Sequence, residues 1–463
     1  MSRRTNRCCT LPAITQFAVS ASEEGLRLSD SALSLLGPGA TLRRLMGLWR
    51  PEDGAVLSVS SVLASVTLGS IAFPVVCSIL KLCVDPPQPL EEVTLCGFVA
   101  CMDFGFLIKA ALFIKQGATM HQLVRLLWET RGRYSNGLNN EKTRARYEKL
   151  VGRLYVYMQM VVVPALLCWV SSPLLSQVFL TSREDAPDGS RQLPVHVWLP
   201  ADVNRSPTYE ILYVAQSFSL MVLSQATVCM DVFFVHLMLM VAAELEVLND
   251  NISAMEQGQL QRGRSRYDGT TMTDDQNIDE HEFISGGHLQ DVALTSSLRA
   301  EDKHTYAELV KNVHHHQQVL RSVSLLQKAM DASIFILLFI NMANLCGTVF
   351  VAAVLLQRDG NITKALKELM LIPCVLYETG MYCLCGHMII NQSEKLVSSA
   401  FSCGWPDCNR RFKHSLLIFM MAAMRPLEIT VGKMCKLSKQ MLLQVLNGSY
   451  ALLNMLYHFH RTL

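Results

Sequence analysis

The longest apolar stretch of the chain reads YEILYVAQSFSLMVLSQATVCMDVFFVHLMLMVA, from residue 209 to residue 242. It is longer than the roughly 20 residues that a helix needs to cross a bilayer. Six further stretches are apolar, most of them near or above that length. The sequence therefore predicts seven transmembrane helices, at 55–83, 92–114, 154–180, 209–242, 329–357, 366–390 and, split in two halves, 411–424 and 440–457.

The composition supports a membrane protein. Hydrophobic residues make up 50% of the chain and charged residues 17%, a balance that a soluble protein of this length seldom shows. We predict one all-α membrane domain in contact with lipid. The net charge of +2 argues against nucleic-acid binding. The sequence carries no nucleotide loop, zinc-spaced cysteine pairs or serine elbow, so we expect neither an enzyme nor a metal or cofactor site.

The distribution of Lys and Arg predicts the orientation. Residues 1–54 are rich in Arg and residues 115–153 in both Lys and Arg, whereas 85–91 has neither and 181–208 has only Arg183, Arg191 and Arg205. Short basic loops stay in the cytoplasm, so the N-terminus is predicted inside and the C-terminus outside. A cleaved signal peptide at 1–25 is the alternative, and it would place the basic segment 27–50 outside. In the predicted orientation, N-glycan is expected on Asn361 or Asn204.

The domain organisation follows from these spans. The segment 257–300 is rich in Gly, Ser, Thr, Asp and Gln, a composition typical of a flexible insert. Its flanks have helical periodicity and would extend the spans into a cytoplasmic helical anchor. The predicted regions are a cytoplasmic segment (1–54), spans one to four with the ligand pocket (55–242), the cytoplasmic loop (243–328), spans five and six (329–390), the anchor with the first half of span seven (391–440), and the second half with the outer C-terminus (441–463).

The second half of span seven has a polar face. Arg425-Pro426 stops the first half, and a polar stretch precedes the second. Asn447 and Asn454 are seven residues apart and share a face, with Gly448, Ala451 and Met455 nearby. Polar side chains at this depth face protein or water. The pattern predicts a pore wall, and hydrogen bonding between packed helices is the alternative.

Asp103, Lys109, Asp231 and Glu378 are charged residues that lie well inside predicted spans. Each would cost about 2.5–3.5 kcal/mol if it faced lipid. We therefore predict that they face the interior of the bundle. Asp231 has the alternative of lying near the cytoplasmic interface, where the cost is lower.

Three strings near the carboxyl end resemble the insect odorant receptor family. They are AFSCGWPD at 400–407, RPLEITVGK at 425–433 and VLNGSYALLNML at 445–456, and the loop at 193–209 is a weaker match. The resemblance covers about 42–460. It implies an odorant-gated, non-selective cation channel in the plasma membrane of a sensory dendrite, a tetramer with four copies of the last half-helix around one axis.

The resemblance leaves the subunit role open. The long loop before span five is similar to that of the shared co-receptor, whereas the ending Ser449-Tyr450 resembles the odour-specific subunits. The assembly is either a heteromer with the co-receptor or a homo-tetramer. A gustatory-type channel is the alternative within this architecture. A metabotropic receptor would carry Asp/Glu-Arg-Tyr and Asn-Pro-x-x-Tyr signatures, and a transporter would carry inverted repeats. The sequence contains neither.

The resemblance also implies the site residues. Small volatile odorants would bind in an apolar, aromatic pocket among spans two, three, four and six. The candidate lining residues are Cys101, Met102, Phe104, Val162, Ala165, Trp169, Tyr213, Phe218, Met370 and Tyr377. The gate would be Met455, with Leu452 next to it, in a pore wall formed by Asn447, Gly448, Ala451 and Asn454. A ring of apolar side chains closes a pore by expelling water.

Overall fold

The structure is a computed structural model. It describes residues 36–49, 54–84, 90–134, 138–181, 193–194, 205–271, 283–358, 362–432 and 435–462. The predicted glycosylation sites Asn204 and Asn361 lie outside these residues, as do 1–35 and the middle of the predicted insert. The described residues are mostly helical, which confirms the all-α prediction.

The helices follow one another along the chain as α1 (Ala40–Leu45), α2 (Gly54–Val84), α3 (Leu90–Lys115), α4 (Gly117–Arg133), α5 (Leu138–Thr181), α6 (Thr208–Thr271), α7 (Phe283–Arg358), α8 (Ile362–Leu369), α9 (Leu371–Phe401), α10 (Arg410–Ala423) and α11 (Lys439–Thr462). Among the described residues, five of these helices are long and apolar enough to cross a membrane: α2, α5, α6, α7 and α9. The helices α3 and α11 coincide with the predicted spans 92–114 and 440–457. The inside position of the N-terminus stays a prediction.

The helix boundaries differ from the prediction in two respects. The predicted span 366–390 is divided, because α8 ends at Leu369 and α9 begins at Leu371. Pro373 lies in the first turn of α9, where a residue without an N–H group is tolerated. The helices α6 and α7 also continue into the predicted insert, as far as Thr271 and from Phe283 onward. Extending an existing helix costs much less than nucleating one, so a composition poor in apolar residues does not end it.

The helix α6 forms the centre of the bundle. Its apolar window is 94% buried, far more than that of α5 at 22%. A helix that is apolar on all sides is stable only when other helices surround it. The helices α2, α3, α5, α7 and α9 pack around α6, and their outward faces leave large apolar side chains exposed, such as Val62, Met160 and Leu167.

The short helix α1 is attached to α6 by a buried arginine. The Arg43 guanidinium lies 4.1 Å from the centroid of the Phe233 ring and donates hydrogen bonds to the carbonyl oxygens of Leu36 (2.6 Å) and Cys229 (3.3 Å). Burial lowers the pKa of Arg43 to about 10, which still leaves the side chain charged at neutral pH. This contact fixes the start of the described chain against the central helix.

The four intramembrane charges face the interior, as predicted. Asp103, Lys109, Asp231 and Glu378 are each at most 5% exposed. Lys109 Nζ lies 2.5 Å from Asp231 Oδ1 and 3.0 Å from Glu378 Oε1, so one ammonium joins α3, α6 and α9. The Tyr382 hydroxyl donates to Asp231 Oδ1 over 2.6 Å. Asp231 is therefore paired in the core of the bundle, and its depth relative to the cytoplasmic interface stays a prediction.

A second core lies beyond the apolar spans, where the sequence predicts the cytoplasmic anchor. It contains Leu248, Ile252, Leu309, Leu396, Phe412, Leu416 and Phe419, from α6, α7, α9 and α10. Next to it, Arg144 donates from Nε and Nη2 to the two carboxylate oxygens of Glu244, over 2.8 and 2.9 Å. His315 Nε2 lies 3.0 Å from Glu244 Oε2, and its ring stacks on Tyr134. Paired, hydrogen-bonded charges of this kind can be buried at low cost.

A short β-hairpin connects the anchor to α11. Strand β1 (Thr430–Val431) pairs antiparallel with β2 (Cys435–Lys436), in the register Thr430 to Lys436 and Val431 to Cys435. Gln327 of α7 accepts from Thr430 N over 2.8 Å, and Asp331 Oδ1 accepts from Gly432 N over 2.9 Å. The hairpin, which the sequence analysis missed, thus fastens the start of α11 to α7.

Replacing Lys109 by Met should destabilise the folded protein by about 3–5 kcal/mol, because it leaves two carboxylates without their shared partner. The measurement is thermal or chemical unfolding of the purified full chain in detergent. Lys115→Met is the matched control, since Lys115 is exposed on the same helix. Equal stability of the two variants would show that the ion pairs contribute nothing.

Candidate functional site

A cavity of about 150 Å³ lies between α3, α5, α6, α7 and α9. Its wall is mostly apolar. The lining residues are Val99, Met102, Asp103 and Phe106 of α3; Met158, Val162, Ala165, Leu166 and Trp169 of α5; Leu220, Leu223, Ser224, Thr227 and Val228 of α6; Asn341, Asn344 and Thr348 of α7; and Leu371, Cys374, Val375 and Glu378 of α9. A mainly apolar cavity with a few polar groups is typical of a small-molecule site.

Side-chain hydrogen bonds hold the walls together. The Tyr377 hydroxyl of α9 donates to the Leu154 carbonyl of α5 over 3.0 Å, and the Tyr213 hydroxyl of α6 donates to the Val170 carbonyl over 2.6 Å. Gln159 and Gln225 bond each other between α5 and α6. These contacts set the antiparallel packing of α5 against both neighbours and so fix which side chains reach the cavity.

One end of the cavity touches the charged network. Asn341 Nδ2 donates to Glu378 Oε2 over 3.2 Å and to Thr379 Oγ1 over 3.1 Å. The other carboxylate oxygen of Glu378 faces Lys109. Asn341 and Glu378 therefore belong both to the cavity wall and to the network that joins the helices.

Trp169 marks another part of the wall. Lys367 Nζ of α8 lies 4.0 Å from the centroid of the Trp169 ring, close enough for a cation–π contact, and donates to the Pro194 carbonyl over 3.0 Å. The helix α8 and the segment at 193–194 therefore meet at Trp169, which is part of the cavity wall.

Four of the predicted lining residues line the cavity: Met102, Val162, Ala165 and Trp169. Cys101, Phe104, Phe218 and Met370 are exposed on the outside of the bundle. Tyr213 and Tyr377 lie outside the wall and bond backbone carbonyls, as described above. Successive side chains on a helix point about 100° apart, so a choice wrong by one residue selects a different face.

Sequence reasoning missed the polar part of the wall. Asn341, Asn344 and Thr348 have the spacing i, i+3, i+7, which places polar groups on one face of an apolar helix. That pattern could have identified α7 as a wall of the cavity. Asp103 and Glu378 stood out as charges inside spans, but nothing in the sequence connected them to a cavity.

One face of the helix α11 packs against the rest of the chain, and the opposite face is exposed. Val445 and Ser449 are buried, and Ser449 Oγ lies 3.2 Å from the Met342 carbonyl of α7. Asn447, Ala451 and Asn454 are exposed, and Met455 is 70% exposed. Leu452 is half-buried. A Cβ atom on Gly448 would lie 2.6 Å from Met342 Sδ, so Gly448 packs on α7 and not on the exposed face.

Comparison with known proteins adds sequence relatives and a structural neighbour. Residues 93–450 match the family described as 7tm Odorant receptor. Odorant receptor 19a of Drosophila melanogaster is 23% identical over 156 residues, which are 34% of this chain and 40% of that protein. Odorant receptor 10 of Aedes albopictus is 22% identical over 273 residues, 58% of this chain and 60% of the relative. The matches thus span about half of the relatives' length.

The fold is similar to that of the insect olfactory receptor OR5 from Machilis hrabei, whose structure was solved in complex with eugenol. The TM-score is 0.69, with 15% sequence identity, over 94% of this chain and 99% of that one. A second structure of OR5 from Machilis hrabei gives a TM-score of 0.68. At this identity the likeness concerns the fold.

Replacing Ala165 by Phe should fill much of the cavity, because Ala165 is 5% exposed and lines it. We expect the variant to lose stabilisation by small aromatic ligands, measured as a thermal shift of the purified chain. Leu167→Phe, two residues further on α5 and 61% exposed, is the matched control. If both variants respond to ligand like the parent, the cavity is not the binding site.

Proposed function

The chain belongs to the odorant receptor family, and we propose that it is a subunit of an odorant-gated, non-selective cation channel. The observation that carries this proposal is the mainly apolar cavity between the apolar helices. A volatile molecule offers few hydrogen bonds, so its affinity must come from contact with apolar and aromatic walls. The eugenol complex of OR5 supports a small organic ligand for a protein of this fold.

The exposed face of α11 is our candidate for the pore wall. It carries Asn447, Ala451, Asn454 and Met455, a mixture of small, amide and flexible apolar side chains. In a tetramer, four copies of this face would surround one axis. The amides would contact permeating cations and water, and Met455, with Leu452 beside it, would form an apolar constriction that closes by dewetting.

The helix α7 is the proposed route from cavity to pore. Asn341, Asn344 and Thr348 face the cavity, and Met342, between the first two, contacts Gly448 and Ser449 of α11. A ligand that shifts or rotates α7 would change the surface on which α11 packs. The channel opens if the ligand binds the conformation with the wider pore more tightly.

Partners and location are part of the proposal. The assembly is either a heteromer with the shared co-receptor or a homo-tetramer, in the plasma membrane of a sensory neuron. The role of co-receptor subunit is the second candidate, favoured by the long segment between the predicted fourth and fifth spans.

Expressed in cells with the co-receptor, the chain should give odorant-evoked cation currents that persist when G-protein signalling is blocked. Patch-clamp recording with an odorant panel measures this. Currents without the co-receptor would indicate a homomer. Currents abolished by the block would indicate a metabotropic receptor and contradict the channel proposal.

Replacing Met455 by Ala should raise the resting current or alter ion selectivity, because the loss of bulk is repeated in each subunit around the pore. Met160→Ala is the control, since Met160 is 66% exposed and lies on α5, outside the proposed pore. At equal surface expression, resting conductance and selectivity equal to those of the parent would remove Met455 from the pore.

A further inference from the structure

The cavity wall contains one carboxyl group that the described part of the chain leaves unpaired. Asp103 lines the cavity and is 3% exposed. Its Oδ2 atom has no hydrogen-bond partner among the described residues. An unpaired buried carboxylate costs more free energy than an unpaired amide or indole, so a partner for Asp103 would gain the most.

The nearest cation along the chain is already engaged. Lys109, further along α3, pairs with both Asp231 and Glu378. Three carboxyl groups, Asp103, Asp231 and Glu378, therefore share the bundle core with a single ammonium group among the described residues. These acidic groups outnumber the ammonium group. Glu378 also lines the cavity, but Lys109 and Asn341 satisfy its carboxylate. Asp103 is therefore the acid in the cavity wall that lacks a partner among the described residues.

We propose that the ligand is a small protonated amine with a compact apolar body, whose ammonium group pairs with Asp103. This inference rests on the proposed function of the cavity and specifies its ligand class. The apolar side chains, among them Val162, Ala165 and Leu223, would surround the body of the ligand. A cavity of about 150 Å³ is large enough for a benzene-sized molecule, so benzylamine is a suitable probe.

Other polar atoms of the wall fit this ligand or remain free for water. Asn341 Oδ1 is a second acceptor without a partner among the described residues. The unpaired donors are Trp169 Nε1 and Asn344 Nδ2, which are neutral groups. An alcohol could use the same acceptors, but only a cation gains from the charge of Asp103.

The first test compares three ligands of the same shape on the purified full chain in detergent micelles: benzylamine, benzyl alcohol and toluene. Affinities come from calorimetric or thermal-shift titration. We expect benzylamine to bind at least about tenfold more tightly than the other two, the gain of one charge-assisted hydrogen bond. Benzylamine that binds no more tightly than toluene would overturn the proposal without any mutation.

The second test uses Asp103→Asn, which keeps an acceptor and removes the charge. Benzylamine affinity should fall about tenfold, whereas toluene affinity should stay within about twofold. Glu129→Gln, an exposed acid on α4, is the matched control and should change neither. Unchanged benzylamine binding by Asp103→Asn, or by Ala165→Phe, would place the amine elsewhere and overturn the proposal.

Current recordings separate this inference from the proposed function. Benzylamine that binds with the expected preference, while no odorant evokes current, would contradict the channel and leave the ligand class standing. Currents evoked by alcohols or hydrocarbons, while benzylamine neither binds nor activates, would contradict the ligand class and leave the channel standing.

Discussion

The ion pairs of Lys109 are the interaction on which the bundle depends. A charge cannot face hydrocarbon without a large cost, so Lys109, Asp231 and Glu378 must find each other. They lie on α3, α6 and α9, and Asn341 adds α7 through its bond to Glu378. Four helices are thus held in one relative arrangement, which non-directional apolar packing alone would specify far less sharply. Because this network specifies the arrangement, the outer faces of the helices need only be apolar.

The cavity owes its position to this arrangement. Glu378 faces Lys109 with one carboxylate oxygen and Asn341 with the other, so the polar network ends where the cavity begins. The side chains that complete the wall from α5 are held by hydroxyl bonds to carbonyl groups of that helix. A ligand in the cavity would therefore contact a rigid wall on α5 and, on α7, a wall that also contacts α11.

Hydropathy predicted where the helices lie, because the bilayer fixes their length, and the cost of buried charge predicted that Asp103, Lys109, Asp231 and Glu378 face inward. Neither consideration could predict how these charges pair, because the pairs join residues that are far apart in the sequence. The resemblance placed Cys101 and Phe104 in the wall beside Met102, whereas the cavity takes Met102, Asp103 and Phe106, because apolar composition on all sides of a span hides its rotation. Strands of two residues are too short for any periodicity, so the hairpin at 430–436 gave no signal.

The length of α7 has a mechanical consequence. Leu309 packs in the anchor core, and Asn344 lines the cavity. At 1.5 Å per residue, about 50 Å of helix separates them, and this stretch contains no Pro or Gly that would kink it. It acts as a lever. If the network around Glu378 serves as its fulcrum, a tilt of a few degrees at the cavity becomes a displacement of several ångströms among the side chains around Leu309, so a small movement at the cavity is amplified in the anchor.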